Sequence, residues 1–183
     1  MSETRKLMLL LLLGVGLYLG LDFLQERFSG VGSGLDEGAK APDFTARDLS
    51  GRTITLSALA GKVVLLNFWS VSCPPCLYEL PELLALSQRY RDRPLTVVTV
   101  NTDELGDEEV QRVIEQQRLD LPVIRDRSHD FTLSAKYGIE ALPTAYLLDH
   151  RGVIARRFLG YVAWDGPEVG ELLERLLAEA TGA

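Results

Sequence analysis

Only two cysteines and two histidines occur among the 183 residues of this chain, and that scarcity removes several kinds of protein at once. A small fold stapled by disulfides needs more than one pair of cysteines. A structural zinc site takes four Cys or His ligands, and His129 and His150 stand far apart in sequence from each other and from the cysteines. Basic residues are also in short supply, 19 Lys and Arg against 26 Asp and Glu, for a net charge of −7. An acidic chain is poorly suited to nucleic acid or anionic lipid, and the plain reading of its charge is a solubilising surface. No internal repeat is visible. Long apolar runs are equally scarce, and the one that exists lies at the N-terminus.

That run extends without charge from Leu7 to Leu21, after Arg5 and Lys6 and before Asp22. Phe23 and Leu24 lengthen it towards the ~20 residues a membrane helix needs. A cleaved secretory peptide is the rival reading, but its small-x-small sites, Gly30-Val31-Gly32 and Gly32-Ser33-Gly34, lie far downstream. The expected organisation is a cytoplasmic tail (1–6), a transmembrane signal-anchor (7–24), a flexible Gly/Ser-containing linker (25–40) and one globular domain (41–183). Cations before the anchor stay in the cytoplasm, so the domain is expected on the extracytoplasmic, periplasmic side of the cell membrane. That compartment sustains disulfides, and a lone cysteine pair there is free to cycle.

Within the domain, Thr53–Leu56 reads as a short strand and Val63–Trp69 as a buried one, rich in β-branched and aromatic residues. A helix follows from Pro75 to about Arg91, with Pro81 expected to kink it. Leu95–Thr102 is a second buried strand, Asp107–Gln117 a helix, Leu121–Arg125 a short strand and Phe131–Tyr137 a short helix stopped at Gly138. Thr144–Leu148 and Val153–Leu159 form a hairpin, and a last helix runs from Pro167 to about Ala180, capped by Asp165 or Gly166. Strands alternating with helices and closing on a hairpin predict a mixed α/β sandwich.

The cysteines are spaced Cys73-Pro74-Pro75-Cys76, where the Val63–Trp69 strand hands over to a helix. Cys73 therefore stands at a helix N-terminus, where unpaired amides and the helix dipole favour a thiolate, the form that attacks disulfides. Cys73 is the expected nucleophile and Cys76 the resolving thiol. Pro74 and Pro75 have no N–H, which leaves the Cys76 amide as the obvious donor to the Cys73 sulfur. The Cys73 pKa is accordingly expected to be moderately rather than strongly lowered, as suits a reductant.

Ala41-Pro42-Asp43-Phe44, Gly61-Lys62 with the Val63–Trp69 strand, Cys73-Pro74-Pro75-Cys76, Glu79, Pro81 and Leu142-Pro143-Thr144 together resemble the TlpA/ResA/CcmG group of membrane-anchored thiol–disulfide oxidoreductases. The resemblance covers about Ala41 to Ala180. It implies a thioredoxin fold, a central mixed sheet flanked by helices, with an extra N-terminal β segment and a central strand–helix insertion at roughly 101–123. It further implies that Leu142-Pro143 is a cis-proline loop facing the cysteines. Asn67 stands where thioredoxins carry a buried acid, and the comparison implies that Glu79 supplies the missing carboxylate for proton transfer. Trp69, Pro74, Pro75, Leu142 and Pro143 are the expected substrate-side residues, with Trp69 chiefly core.

By the same resemblance the partners are disulfide-containing proteins, possible clients including apocytochrome c, and a CcdA- or DsbD-like membrane electron donor. No cofactor and no nucleic acid is called for. Two other functions compete. A peroxiredoxin-like thiol peroxidase shares the Ala-Pro-Asp-Phe opening and has a Ser or Thr where Ser70 stands, but fits Trp69 and the two-proline motif poorly. A non-enzymatic copper-handling module on the same fold would favour a longer cysteine spacing with a distant histidine.

Overall fold

The computed structural model describes residues 34–104, 106–127 and 133–182. The expected tail and anchor, most of the linker, and His129 and Phe131 lie outside the described residues. Among the described residues no helix is long and apolar enough to cross a membrane.

The chain runs through β1 (Thr45–Arg47), β2 (Thr53–Thr55), a 3₁₀ turn (Leu56–Leu59), β3 (Val63–Trp69), α1 (Pro74–Arg89), β4 (Leu95–Asn101) and α2 (Asp107–Gln117). It continues through β5 (Val123–Arg125), α3 (Leu133–Lys136), β6 (Thr144–Leu148), β7 (Ile154–Leu159) and α4 (Pro167–Thr181). Five strands form one sheet in the order β5-β4-β3-β6-β7. β3, β4 and β5 are parallel, while β6 pairs antiparallel to both β3 and β7. β1 and β2 make a separate antiparallel pair.

β3 is buried along its whole length, and its alternation divides the core. Val63, Leu65 and Trp69 face α1, α2 and α4, packing with Leu80, Leu83, Val110, Leu173 and Leu177. Val64, Leu66 and Phe68 face the other way, towards Phe44, Leu56, Leu133 and Tyr137. Asn67 shares the period of Leu65 and Trp69 and so points towards α1, among apolar groups.

Both edges of the sheet are covered by the chain preceding β3. At β5, Leu49 N–H donates to Val123 O at 2.9 Å; at β7, Ile154 N–H donates to Ala39 O at 2.9 Å. Covering an edge removes the open ladder that invites pairing with another chain.

α1 begins one residue earlier than expected, with Pro74 and Pro75 in its first turn, and continues through Pro81 to Arg89. Pro81 has no N–H to offer the carbonyl of Leu77 one turn back. Gln117, the last residue of α2, donates its side-chain amide to Leu77 O at 3.0 Å in its place. The proline is thus accommodated by a neighbouring helix. α4 is capped by the backbone of Gly166 rather than by a side chain of Asp165.

Candidate active site

β3 delivers the chain to the site. Trp69 is the last residue of the strand and fully buried, and its carbonyl accepts the Thr102 amide at 2.9 Å. A turn of three residues follows, and Cys73 then caps α1. Cys73 is half-buried, Pro74 and Pro75 are exposed, and Cys76 is 1% exposed. The two cysteines are joined as a disulfide. One sulfur faces outward and the other is sealed in the core, which makes Cys73 the atom an incoming thiolate can reach. The Cys76 amide points at Cys73 Sγ, 3.3 Å away. That sulfur is bonded here, and it occupies the position where a thiolate would accept the same N–H after reduction.

The β3–β6 register pairs Phe68 with Thr144, so Pro143 comes opposite Trp69, at the same end of the sheet as the cysteines. The Leu142-Pro143 peptide bond is cis. Leu142 is half-buried and packs against the cluster that contains Cys76, while Pro143 is buried. Its carbonyl accepts Gly160 N–H at 2.9 Å. Trp69 is placed differently from the expectation of a substrate-side edge. Wholly enclosed beneath the redox loop, it supports the site from the core and presents no face to a client in this form.

Glu79 lies one turn beyond Cys76 on α1 and is 1% exposed. Its Oε1 accepts Val162 N–H at 2.6 Å and its Oε2 accepts Asn67 Nδ2 at 3.4 Å. Burial pushes the carboxyl up to about 7, against the opposing pull of those two donors, with the nearby Glu82 adding to the rise. A carboxyl balanced near neutrality is the kind of group that can give or take a proton.

Several residues of the site carry no obvious signal in the sequence. Glu82 accepts Tyr161 Oη–H at 2.6 Å and Trp164 N–H at 3.1 Å, so that with Glu79 it fastens the segment after β7 onto α1. Asp103, just past β4, holds the turn before Cys73 through Ser70 and Val71. The one available hint is the Asn101-x-Asp103 pattern at a strand end, two polar side chains where the run of valines stops. Tyr78, Leu159 and Tyr161 are large and exposed. Tyr78 shares a helical face with Glu82, and Leu159 and Tyr161 flank Gly160, so all three border the redox face.

The AhpC/TSA family matches residues 38–157, well over half of the chain. The chain belongs to the AhpC/TSA family. It is 37% identical over 148 residues to the thioredoxin-like protein YneN of Bacillus subtilis (strain 168), covering 80% of this chain and 84% of that one. It is 34% identical over 123 residues to the thiol–disulfide oxidoreductase ResA of Bacillus thuringiensis (strain Al Hakam), covering 67% and 69%. Among solved structures, the thioredoxin domain of a thiol–disulfide oxidoreductase from Bacteroides vulgatus superimposes with a TM-score of 0.67 at 28% identity, covering 78% of this chain and 99% of that one. This AhpC/TSA member is a thiol–disulfide oxidoreductase with a thioredoxin-like α/β fold.

Proposed function

We propose that this oxidoreductase reduces disulfides of partner proteins outside the cytoplasm, with Cys73 and Cys76 as its dithiol. The observation that carries the reading is the asymmetry of the pair. Cys73 Sγ sits at the helix N-terminus, half-buried and faced by the Cys76 amide, while Cys76 is sealed behind it. In the forward reaction the Cys73 thiolate attacks a client S–S bond, forming a mixed disulfide and releasing one client sulfur as a thiolate. Cys76, losing its proton to Glu79, then attacks Cys73 Sγ. The second client sulfur leaves, the Cys73–Cys76 disulfide forms, and two electrons have passed to the client.

Pro74, Pro75 and Leu142 form the surface a client meets, with the cis Pro143, expected there from the sequence, buried behind it, and Tyr78, Leu159 and Tyr161 as its apolar border. Apocytochrome c, whose haem-binding cysteines must stay reduced, is the client class the family resemblance favours. A CcdA- or DsbD-like membrane protein would return the electrons. The apolar run at 7–24 would keep the domain at the extracytoplasmic face of the membrane, with 25–40 as its tether and 41–183 as the working domain. Ser70 gives a peroxidase reading no support: its hydroxyl is spent on Asp103 Oδ1 at 2.6 Å.

Cys76→Ser tests the proposal directly. Without the resolving thiol, the mixed disulfide on Cys73 persists, and it is expected in the membrane fraction as an adduct identifiable by mass spectrometry. A Cys76→Ser chain whose Cys73 is shown to be a free, reactive thiol and that nevertheless yields no client adduct would show that the pair is not the redox centre.

A further inference from the structure

Asp103 is a buried carboxylate that the thiol chemistry leaves without a task. It is 7% exposed, immediately beyond β4. Its Oδ1 accepts Ser70 Oγ–H at 2.6 Å, and its Oδ2 accepts Val71 N–H at 2.7 Å and Asn101 Nδ2 at 2.7 Å. Bonds of this kind, accepted by a carboxyl group away from water, are short and strong. Apart from Glu79, the other buried acids among the described residues work near home or on a helix end. Asp48 and Asp149 close their own turns, and Asp126 receives the first amides of α3. Asp103 instead reaches back across the sheet to the segment between β3 and the nucleophile.

Ser70, so held, organises the rest of that segment. Its Oγ accepts Ser72 N–H at 3.1 Å, and its carbonyl accepts Cys73 N–H at 3.2 Å. Because the Ser70 proton goes to Asp103, the 2.8 Å contact between the two serine hydroxyls has Ser72 as its donor. One carboxylate therefore fixes, directly or through Ser70 Oγ, the Val71 and Ser72 amides and both serine hydroxyls of the turn that ends on Cys73.

We propose that Asp103 is a positioning residue of the redox reaction: its carboxylate clamps the Ser70–Ser72 turn and so holds Cys73 Sγ against the Cys76 amide. Both thiol steps need that placement. The client sulfur must approach Cys73 in line, and Cys76 must afterwards reach the same atom. Misplacement by about 1 Å can cost as much as a hundredfold. This inference rests on the dithiol reading above.

The test uses the reduced full chain, with Asp103→Ala, Asp103→Asn and Ser70→Ala variants. The readout is single-turnover reduction of a synthetic disulfide-bonded peptide, on the high-pH plateau where Cys73 is fully ionised. Rates are scaled to the folded fraction measured on the same samples. Asp103→Ala is expected to slow the plateau rate at least about tenfold, and Ser70→Ala to slow it less. Asp103→Asn should regain most of the loss, since its Oδ1 can accept Val71 and Asn101 while its Nδ2 donates to Ser70 Oγ.

A purely structural role predicts a lower unfolding midpoint with an unchanged plateau for the folded fraction, and that result would overturn the proposal. If the alanine variant does not fold, a Ser70→Ala rate within about twofold of wild type overturns it instead. Wild-type chain that fails to reduce the peptide at all removes the dithiol reading, and the positioning role with it.

Discussion

At Glu79, burial opposes ionisation more strongly than the Val162 and Asn67 donors favour it, and the carboxyl is raised to about 7 in the disulfide form. That form is the one a reducing thiolate attacks. As the incoming thiolate bonds to Cys73, the buried Cys76 sulfur leaves and needs a proton, and in the proposed mechanism protonated Glu79, one turn further along α1, supplies it. The protonated fraction falls as pH rises through about 7. Reduction of the disulfide by dithiothreitol, corrected for that reagent's own thiolate fraction, should therefore slow by about tenfold between pH 6 and pH 8. Glu79→Gln should abolish this fall and lower the rate on the acid side. Identical profiles for the two proteins would remove Glu79 from the proton path.

Between elements, α1 and α2 are joined at the point where α1 has lost a hydrogen bond. Pro81 leaves Leu77 O without its helical donor, and Gln117 Nε2 fills the gap at 3.0 Å. Gln117→Ala would strip a partly buried carbonyl of its partner and should cost about 1–2 kcal/mol in urea unfolding. The same change in a Pro81→Ala background should cost less than half as much, because alanine returns an amide to Leu77 O. Additive effects would show that Gln117 acts by packing alone. Neither partner could be paired from sequence. Pro81 announced the lost donor, but residues 81 and 117 meet only after β4 has brought α2 alongside α1.

Across the whole molecule, the parts legible in sequence were those with local causes. β3 is apolar at every position but Asn67 because both of its faces are buried, and Cys73 caps α1 with two prolines following it. β1 gave no strand pattern, since Thr45–Arg47 is mostly exposed and is held by pairing with β2 rather than by burial. Glu79's partner at Val162 and Asp103's hold on Ser70 are long-range, and no spacing rule points to them. The same long-range burial sets how stability responds to pH. Asp48 and Asp149 are buried, which alone would raise them, but Ser50 and Arg52 at one and Val153 and Arg151 at the other hold both below the ordinary range. Their contribution is present above that range and is lost as pH falls through the lowered values. Glu79 works in the opposite sense. Raised from 4.5 to about 7, it stabilises the fold fully below 4.5 and loses that contribution as pH climbs to about 7. Stability should therefore peak on the acid side of neutrality. With the disulfide intact, Glu79→Gln should gain on wild type between those two pH values by on the order of 2–3 kcal/mol, then run parallel to it. Urea unfolding at a series of pH values measures the difference directly, and a gap that stays constant from about pH 4 to 8 would mean that Glu79 does not titrate in this window.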